Sequence, residues 1–487
     1  MDYVRFHAIL HGDNPAVSDL SAGREFSYHA LDLYVARCTS YLIQQNCVPG
    51  DRVACLARNS ADVLSLSLAS ARLGTIFVPL NWRLSDAELN SLLEDCSPKC
   101  LFADQKDRCL NVEVTPLQDL ETLCETAEPC WPEMADQHRF SLMLYTSGTT
   151  GLPKGVMLSE YNLNETALNS VSLLEVNSDS RFLCESPMFH IIGMVSMIRP
   201  ALFSGGRVFI SDGFEAERTM SYLSDLTLKI SHFFCVPQMA LALRNATNFD
   251  PSKLSHMKAI FTGGAPHPEA QIRAWLRDGV RMVDGYGMSE AGTVFGMPTD
   301  PKLLERKAGS VGVPTPRIEA RLVDDSGTVV PTNMPGELQL RGANIARFYW
   351  SKDGKYKATT DREGWFSTGD ILVQDGDGFF RVADRKKDMF ISGGENVYPA
   401  EIEAQLIECD DLDEFSVVGV PDDKWGEVGC VFYVPQAGPI SLGSIETFLS
   451  PRVAKYKIPK HIRAVDALPR NGVGKVLKTE LRKIFLD

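Results

Sequence analysis

Short apolar runs of four to six residues recur through the first 261 positions, and stretches with helical spacing separate them. Arg52–Leu56, Thr75–Leu80, Arg207–Ile210, Lys229–Phe234 and Met257–Phe261 read as strands. Between them, Leu31, Tyr34, Val35, Cys38, Tyr41 and Leu42 fall on one helix face, with Ser27 as a plausible N-cap. A second helix is predicted over about Ala61 to Leu73. Strand, helix and strand in this order predict an α/β fold with a parallel sheet covered on both faces. After about Gly309 the segments shorten and turn residues divide them, which predicts antiparallel β structure. From about Asp388 the last 100 or so residues have a pattern of their own, enough for a small separate domain.

Composition excludes several classes. Hydrophobic residues are 44% and charged residues 23% of 487, ordinary for a globular protein. The formal net charge of −14 disfavours non-specific nucleic-acid binding, which neutralises phosphates with Lys and Arg. No apolar run reaches the length of a membrane span, and Met1–Leu20 lacks the apolar core of a secretory signal. The final Phe485-Leu486-Asp487 is not a targeting tripeptide. The 12 cysteines are scattered and mostly sit in apolar segments, as expected of reduced thiols in a cytoplasmic protein. Cys96 and Cys100 lie close together, but no second Cys or His cluster stands at zinc spacing.

The most informative segment for chemistry follows the apolar Leu142-Met143-Leu144. It runs Tyr145-Thr146-Ser147-Gly148-Thr149-Thr150-Gly151-Leu152-Pro153-Lys154-Gly155. Three glycines let backbone N–H groups turn toward an anion, while four hydroxyls and one ammonium add donors. Such a surface suits a polyphosphate. The Gly-Lys spacing of a P-loop is absent, because Pro153 and Val156 occupy the positions where its second glycine would fall.

This segment resembles the phosphate loop of the adenylate-forming enzymes, the superfamily of acyl-CoA synthetases, adenylation domains and firefly-type luciferases. Further motifs extend the resemblance over nearly the whole chain. They are Phe261-Thr262-Gly263-Gly264-Ala265-Pro266, Asp284-Gly285-Tyr286-Gly287-Met288-Ser289-Glu290, Gly336-Glu337-Leu338, Trp365 to Asp370, Asp384 to Asp388, Ser392 to Pro399 and Pro469 to Lys475. The resemblance implies a large N-terminal AMP- and acyl-binding domain over 1–386, built of two parallel-type α/β sheets plus a small β-barrel, with the β-rich part at about 309–386. A small, mobile α+β domain over 387–487 is then expected to follow, with its hinge at Lys387.

Roles carry over by resemblance, and each has a chemical reason. Activating a carboxylate on the α-phosphate of ATP builds charge on phosphate oxygens, so fixed cations and donors are needed. Thr146, Ser147, Gly148, Thr149, Thr150, Gly151 and Lys154 would hold the β and γ phosphates. Glu290, with Thr146, would hold Mg²⁺, a hard ion that prefers oxygen ligands. Ser289 stands where the family commonly has threonine and keeps the hydroxyl. Tyr286 is placed to stack on adenine against Gly263, Gly264 and Ala265, within the segment Asp284, Gly285, Gly287 and Met288. Asp370 would accept from both ribose hydroxyls, and Arg385 matches a ribose- and phosphate-contacting arginine. Lys475 would bridge carboxylate and α-phosphate in adenylation. For the second step, Gly393 and Gly394 leave a narrow path for the pantetheine of CoA, and Trp425 either lines that face or is core. His190 matches a histidine beside the acyl pocket, grouped with the catalytic residues but given no acid–base work.

The expected reaction is that of an ATP-dependent acyl-CoA synthetase. Acid and ATP give acyl-AMP and pyrophosphate, then CoA gives acyl-CoA and AMP. Phe189-His190-Ile191-Ile192 offers no carboxylate for a substrate amine, and His232 to Val236 is largely apolar. A medium- or long-chain fatty acid or another bulky hydrophobic acid is therefore expected. The alternatives are an aryl-CoA ligase, a stand-alone enzyme loading a separate carrier protein, and a non-catalytic nucleotide- or acyl-binding descendant. Oxidation of the luciferase type is more remote. Peripheral membrane contact and a choice between monomer and homodimer stay open.

Overall fold

The computed structural model describes the chain except residues 1, 106, 134–135, 147–152, 265–266, 354–355, 386–387, 393–394, 410, 423, 437, 471–474 and 487. The side chains of residues 384–385 and 395–396 also lie outside the described part. The chain divides into two compact units, one of residues 1–320 with 340–366 and one of residues 321–339 with 367–487. The expected boundary at 386/387 is one of movement, which this division into compact units does not address.

The first unit is built on two mixed sheets. One has nine strands, in spatial order Val313–Pro314, Gly292–Gly296, Met282–Met288, Ala259–Thr262, His232–Cys235, Arg181–Cys184, Arg207–Ile210, Pro15–Asp19 and Arg24–Ser27. Its centre is parallel and its outer pairs are antiparallel. The other has eight strands, in the order Lys357–Ala358, Phe348–Tyr349, Lys154–Ser159, Phe140–Thr146, Ile76–Pro79, Arg52–Leu56, Cys100–Ala103 and Thr115–Pro116.

Local chemistry explains how these elements start and stop. The helix Tyr28–Gln44 begins where Ser27 Oγ accepts from Ala30 N at 3.2 Å. The helix Ala61–Leu73 is capped by Ser60 and ends at Gly74, whose φ of 80° favours a residue without Cβ. It feeds directly into Ile76–Pro79, whose Val78 stands beside Ala54 of Arg52–Leu56. Ala54, Val78, Leu89, Leu93 and Leu101 then meet in one buried cluster, as a parallel sheet covered by helices requires.

The run Lys229–Phe234 begins its strand later than expected, at His232. Lys229 has a φ of 50°, outside the β region, so the strand cannot include it. The phosphate-loop segment lies between Phe140–Thr146 and Lys154–Ser159, an antiparallel pair in which Thr146 faces Lys154. It thus joins two strands, unlike a P-loop, which enters a helix.

In the second unit, Ile318–Val323, Pro335–Gly342, Phe366–Gln374 and Phe380–Arg385 follow one another in a four-stranded sheet, most of which belongs to this unit. A five-stranded sheet comprises Glu395–Val397, Phe390–Ser392, Gly426–Tyr433, Phe415–Asp422 and His461–Ala464. Helices Pro399–Leu406, Leu442–Leu449 and Lys478–Leu486 supply Ile402, Leu406, Ile445, Leu449 and Leu481 to its two buried clusters.

Candidate active site

The C-terminal ends of two neighbouring parallel strands, Ala259–Thr262 and Met282–Met288, set the position of the cavity in the first unit. Ligands collect at such strand ends because side chains and loops converge there. The cavity measures about 90 Å³ and brings together Gly263, Gly264, Asp284, Gly285, Tyr286, Gly287 and Met288, all assigned to nucleotide binding from the sequence. Gly264 has a φ of 79°, and a Cβ on Gly287 would lie 2.3 Å from the carbonyl oxygen of Gly292. Larger residues at these two places would distort the backbone that forms the wall. Ala265 lies outside the described residues.

The remaining lining is mostly apolar and was not foreseen as a set. Leu173 and Leu174 come from the end of the helix Glu160–Leu174, Phe234 and Phe261 from neighbouring strands, and Phe295 from Gly292–Gly296. Ile192, Ser196 and Met197 come from a single π-helical turn, Ile192–Met197. π-Helical turns of this kind recur at functional sites. Arg199, just beyond the turn, makes a two-point ion pair with Glu160 at 2.8 and 2.9 Å. That pair ties the turn to the helix whose other end lines the cavity.

One wall is braced from behind. The His232 ring stacks on Phe261 at 5.7 Å and on Phe182 at 4.3 Å, nearly parallel to both. Its Nε2 lies 2.9 Å from the Leu174 carbonyl and its Nδ1 lies 2.7 Å from Ser231 Oγ. Burial holds this imidazole neutral, with its pKa lowered to about 4. His267 is lowered to about 4 for the same reason, and its Nδ1 lies 2.8 Å from Thr262 Oγ1. Asp284 is buried beside the cavity, and its carboxyl accepts from the Gly285 N–H at 2.8 Å. Burial pushes its pKa above the usual carboxylate range, against the lowering effect of the Gly285 N–H.

A second cluster gathers next to the phosphate-loop strands. The Tyr349 hydroxyl donates to Glu290 Oε1 at 2.9 Å, and Lys154 Nζ lies 5.5 Å from the centre of the Tyr349 ring. Thr146 Oγ1 donates to the Lys154 carbonyl at 3.4 Å. Burial, with Glu290 adding to it, raises the Tyr349 pKa, so the phenol remains a donor. Cation, hydroxyl and carboxylate thus share one face of the Lys154–Ser159 and Phe348–Tyr349 pair. Tyr349 was missed from the sequence, where only the aromatic run Phe348-Tyr349-Trp350 marked it.

Other predicted residues are not among those that line the cavity. Partly buried His190 adjoins it but does not line it. Its Nε2 is cut off from solvent without a hydrogen-bond partner among the described residues, and burial, then Arg83, lowers its pKa to about 4. Ser289 directly precedes Glu290. In the second unit, Asp370 is buried and stands opposite Arg385 in the Phe366–Gln374 and Phe380–Arg385 pair. Lys475 is exposed next to the bridge between Arg470 and Val476. Trp425 is 45% exposed, which settles that it is not core, and Lys424 Nζ sits 4.8 Å over its ring. Ser147, Gly148, Thr149, Thr150, Gly151, Lys387, Gly393 and Gly394, and the Arg385 side chain, lie outside the described residues.

The comparisons with known proteins agree with this arrangement. Residues 5–350 match the AMP-binding enzyme family, and residues 401–475 match the AMP-binding enzyme C-terminal domain. The indoleacetate–CoA ligase of Aromatoleum aromaticum is 37% identical, over 95% of this chain and 93% of its own length. The long-chain-fatty-acid–CoA ligase FadD13 of Mycobacterium tuberculosis is 32% identical, over 94% of this chain and 93% of its own. The solved structure of O-succinylbenzoate coenzyme A synthetase from Bacillus subtilis, in complex with ATP and magnesium ion, superposes with a TM-score of 0.89 at 28% identity, covering 99% of both chains. The chain belongs to the family of AMP-binding enzymes. Within that family it is an acid–thiol ligase that uses ATP, Mg²⁺ and CoA.

Proposed function

We propose that this ligase activates a compact, bulky hydrophobic acid, with an aryl acid favoured over a long alkyl chain. The reaction is that of an ATP-dependent acyl-CoA synthetase, in which the acid displaces pyrophosphate from ATP and CoA then displaces AMP. The observation that carries the choice of acid is the braced cavity. Leu174 and Phe261 are both held by His232, so the wall they form cannot recede easily before a lengthening chain. Mostly apolar walls held in place around a small cavity suit a compact, rigid acid. The 37% identity to an indoleacetate–CoA ligase supports the same reading.

The residues present fit a magnesium ion. Mg²⁺ takes one or two protein carboxylates and leaves its other positions to phosphate oxygens and water, and Glu290 supplies such a carboxylate, oriented by Tyr349. When bound, the ion neutralises charge that develops on the phosphates. Lys154 and Thr146 hold the phosphate side, Tyr286 and the Gly263-Gly264 wall hold adenine, and Asp370 with Arg385 serves the ribose. Lys475 offsets charge during adenylation, Lys387 is the hinge between half-reactions, and Gly393, Gly394 and Trp425 serve the thiol step. These assignments rest on the resemblance and on the chemistry of each side chain.

No helix among the described residues is long and apolar enough to cross a membrane. We place the enzyme in the cytoplasm, since all 12 cysteines are free and two pairs keep their sulfur atoms 3.5 Å apart without bonding. A separate carrier protein as acceptor and a homodimer are secondary readings. Pyrophosphate release, measured across aryl and straight-chain acids with and without CoA, tests the function. The expected result is release with aryl acids and AMP plus thioester only when CoA is present. Release confined to long alkyl acids would overturn the choice of acid.

A further inference from the structure

Four of the 12 cysteines stand in two pairs, at the helix Tyr28–Gln44 and at the turn that follows it. Cys47 Sγ lies 3.5 Å from Cys100 Sγ, and Cys38 Sγ lies 3.5 Å from Cys124 Sγ. The distances are equal, so access and freedom to move decide which pair can react. Cys38 and Cys124 both lie in helices and are fully buried. Cys100 is half-buried, and Cys47 beside it stands in the turn between Tyr28–Gln44 and Arg52–Leu56. Cys100 opens the strand Cys100–Ala103 and is held in register opposite Val53. A disulfide needs its sulfurs about 2.0 Å apart. The approach falls to Cys47, since a turn gives way more easily than a paired strand.

The two thiols of this pair differ in how readily they ionise. The hydrogen bond with Cys47 lowers the Cys100 pKa, and the Lys99 ammonium adds to this against burial. The same hydrogen bond, and then burial, pushes the Cys47 thiol the other way. Cys100 is therefore the nucleophile, and Cys47 keeps its proton. Burial, followed by the Cys124 hydrogen bond, pushes the Cys38 thiol well above its usual value and leaves it inert. We infer that Cys100 and Cys47 form a reversible disulfide when the enzyme meets a hydroperoxide, and that Cys38 and Cys124 do not. The Cys100 sulfur attacks the outer peroxide oxygen and the O–O bond breaks. The departing oxygen takes a proton and leaves as an alcohol, or as water where the oxidant is hydrogen peroxide. Sulfur is oxidised to a sulfenic acid and the peroxide is reduced. The Cys47 sulfur then attacks the Cys100 sulfur, the S–O bond breaks, and water leaves with the Cys47 proton. Two thiols and one hydroperoxide thus give one disulfide, one alcohol and one water. The bond keeps Cys100 from the irreversible sulfinic acid, and it uses no residue assigned to ATP, acid or CoA.

The test exposes the purified protein to hydrogen peroxide without denaturant and maps its cysteines by alkylation, digestion and mass spectrometry. The expected result is a peptide pair linked through Cys47 and Cys100, loss of two of the 12 thiols, and their return with dithiothreitol. Cys38 and Cys124 are expected to stay reduced and to alkylate only after unfolding. Cys47→Ser is expected to leave Cys100 as a sulfenic acid that dimedone traps and that longer exposure carries to the sulfinic acid. Cys100→Ser is expected to leave Cys47 unoxidised at the same dose. Three results overturn the inference: sulfinic acid at Cys100 of the wild type with no linked peptide, a Cys38–Cys124 link formed as readily, or Cys100 untouched at a dose that oxidises the exposed Cys109. The wild-type map decides without the variants, so poor folding of either one does not blunt it. Its readout is the state of the thiols, so it stands or falls apart from the choice of acid.

Discussion

Lys475 is the residue whose assigned role separates most cleanly from the rest. An ammonium that offsets charge only during adenylation should matter little once the adenylate is made. Lys475→Ala is therefore expected to slow adenylation by about a hundredfold or more while changing thioester formation from supplied acyl adenylate by less than about threefold. The two half-reactions, assayed separately, check this, and equal losses would remove the role. The motif letters around Glu290 and Tyr286 made those residues legible in the sequence. Ser196 and Thr293 were not legible as cavity residues, because nothing in Val195-Ser196-Met197 or Gly292-Thr293-Val294 says which way a side chain points. His232 was read only as part of an apolar wall, yet it acts from behind by stacking.

Among the elements, strong local signals set the ends best. Ser27 caps its helix as expected, and Arg52–Leu56 falls on its predicted span because apolar residues there meet turn residues on both sides, whereas the Ser60 and Gly74 caps of Ala61–Leu73 were not foreseen. The π-helical turn was not legible in the sequence, because no motif in Ile192 to Met197 marks a widened turn. Arg199 is the anchor at one end. Burial raises the Glu160 pKa, but the Arg199 guanidinium more than offsets it, and Glu160 ends below its usual value. Arg199→Met would leave that buried carboxylate unpaired. The variant is expected to lose about 3 kcal/mol or more of stability, read from chemical denaturation, and to lose selectivity among acids through the loosened turn.

At the scale of the whole molecule, three imidazoles with lowered pKa values weaken the fold on the acid side. His190, His232 and His267 are held neutral with pKa values near 4, against 6.5 when unperturbed. The unfolded chain therefore binds more protons as pH falls below 6.5, and stability is lost progressively between 6.5 and 4. Glu185 works in the opposite direction. Burial raises its pKa to about 7, so it favours the folded state below that value and loses its contribution as pH rises through it. His232→Phe keeps the ring stack and removes one of the three protons. Between about pH 7 and about pH 5 it is expected to lose roughly 2 kcal/mol less stability than wild type. Unfolding free energies at the two pH values check this, and parallel losses would exclude His232 as a contributor.

The widened turn at Ile192–Met197 also bears on how such an enzyme could change its diet over evolutionary time. A turn of this kind holds one residue more than the ordinary helix would. Deleting a single codon there would return the turn to ordinary helix and move the residues inside it to new places, while the chain beyond keeps its course. Ser196 and Met197 would leave the wall together, and new neighbours would replace them in one event. Relatives with different appetites need not then have passed through a series of point substitutions, and length variation at this one place in their genes is where a change of acid should be sought.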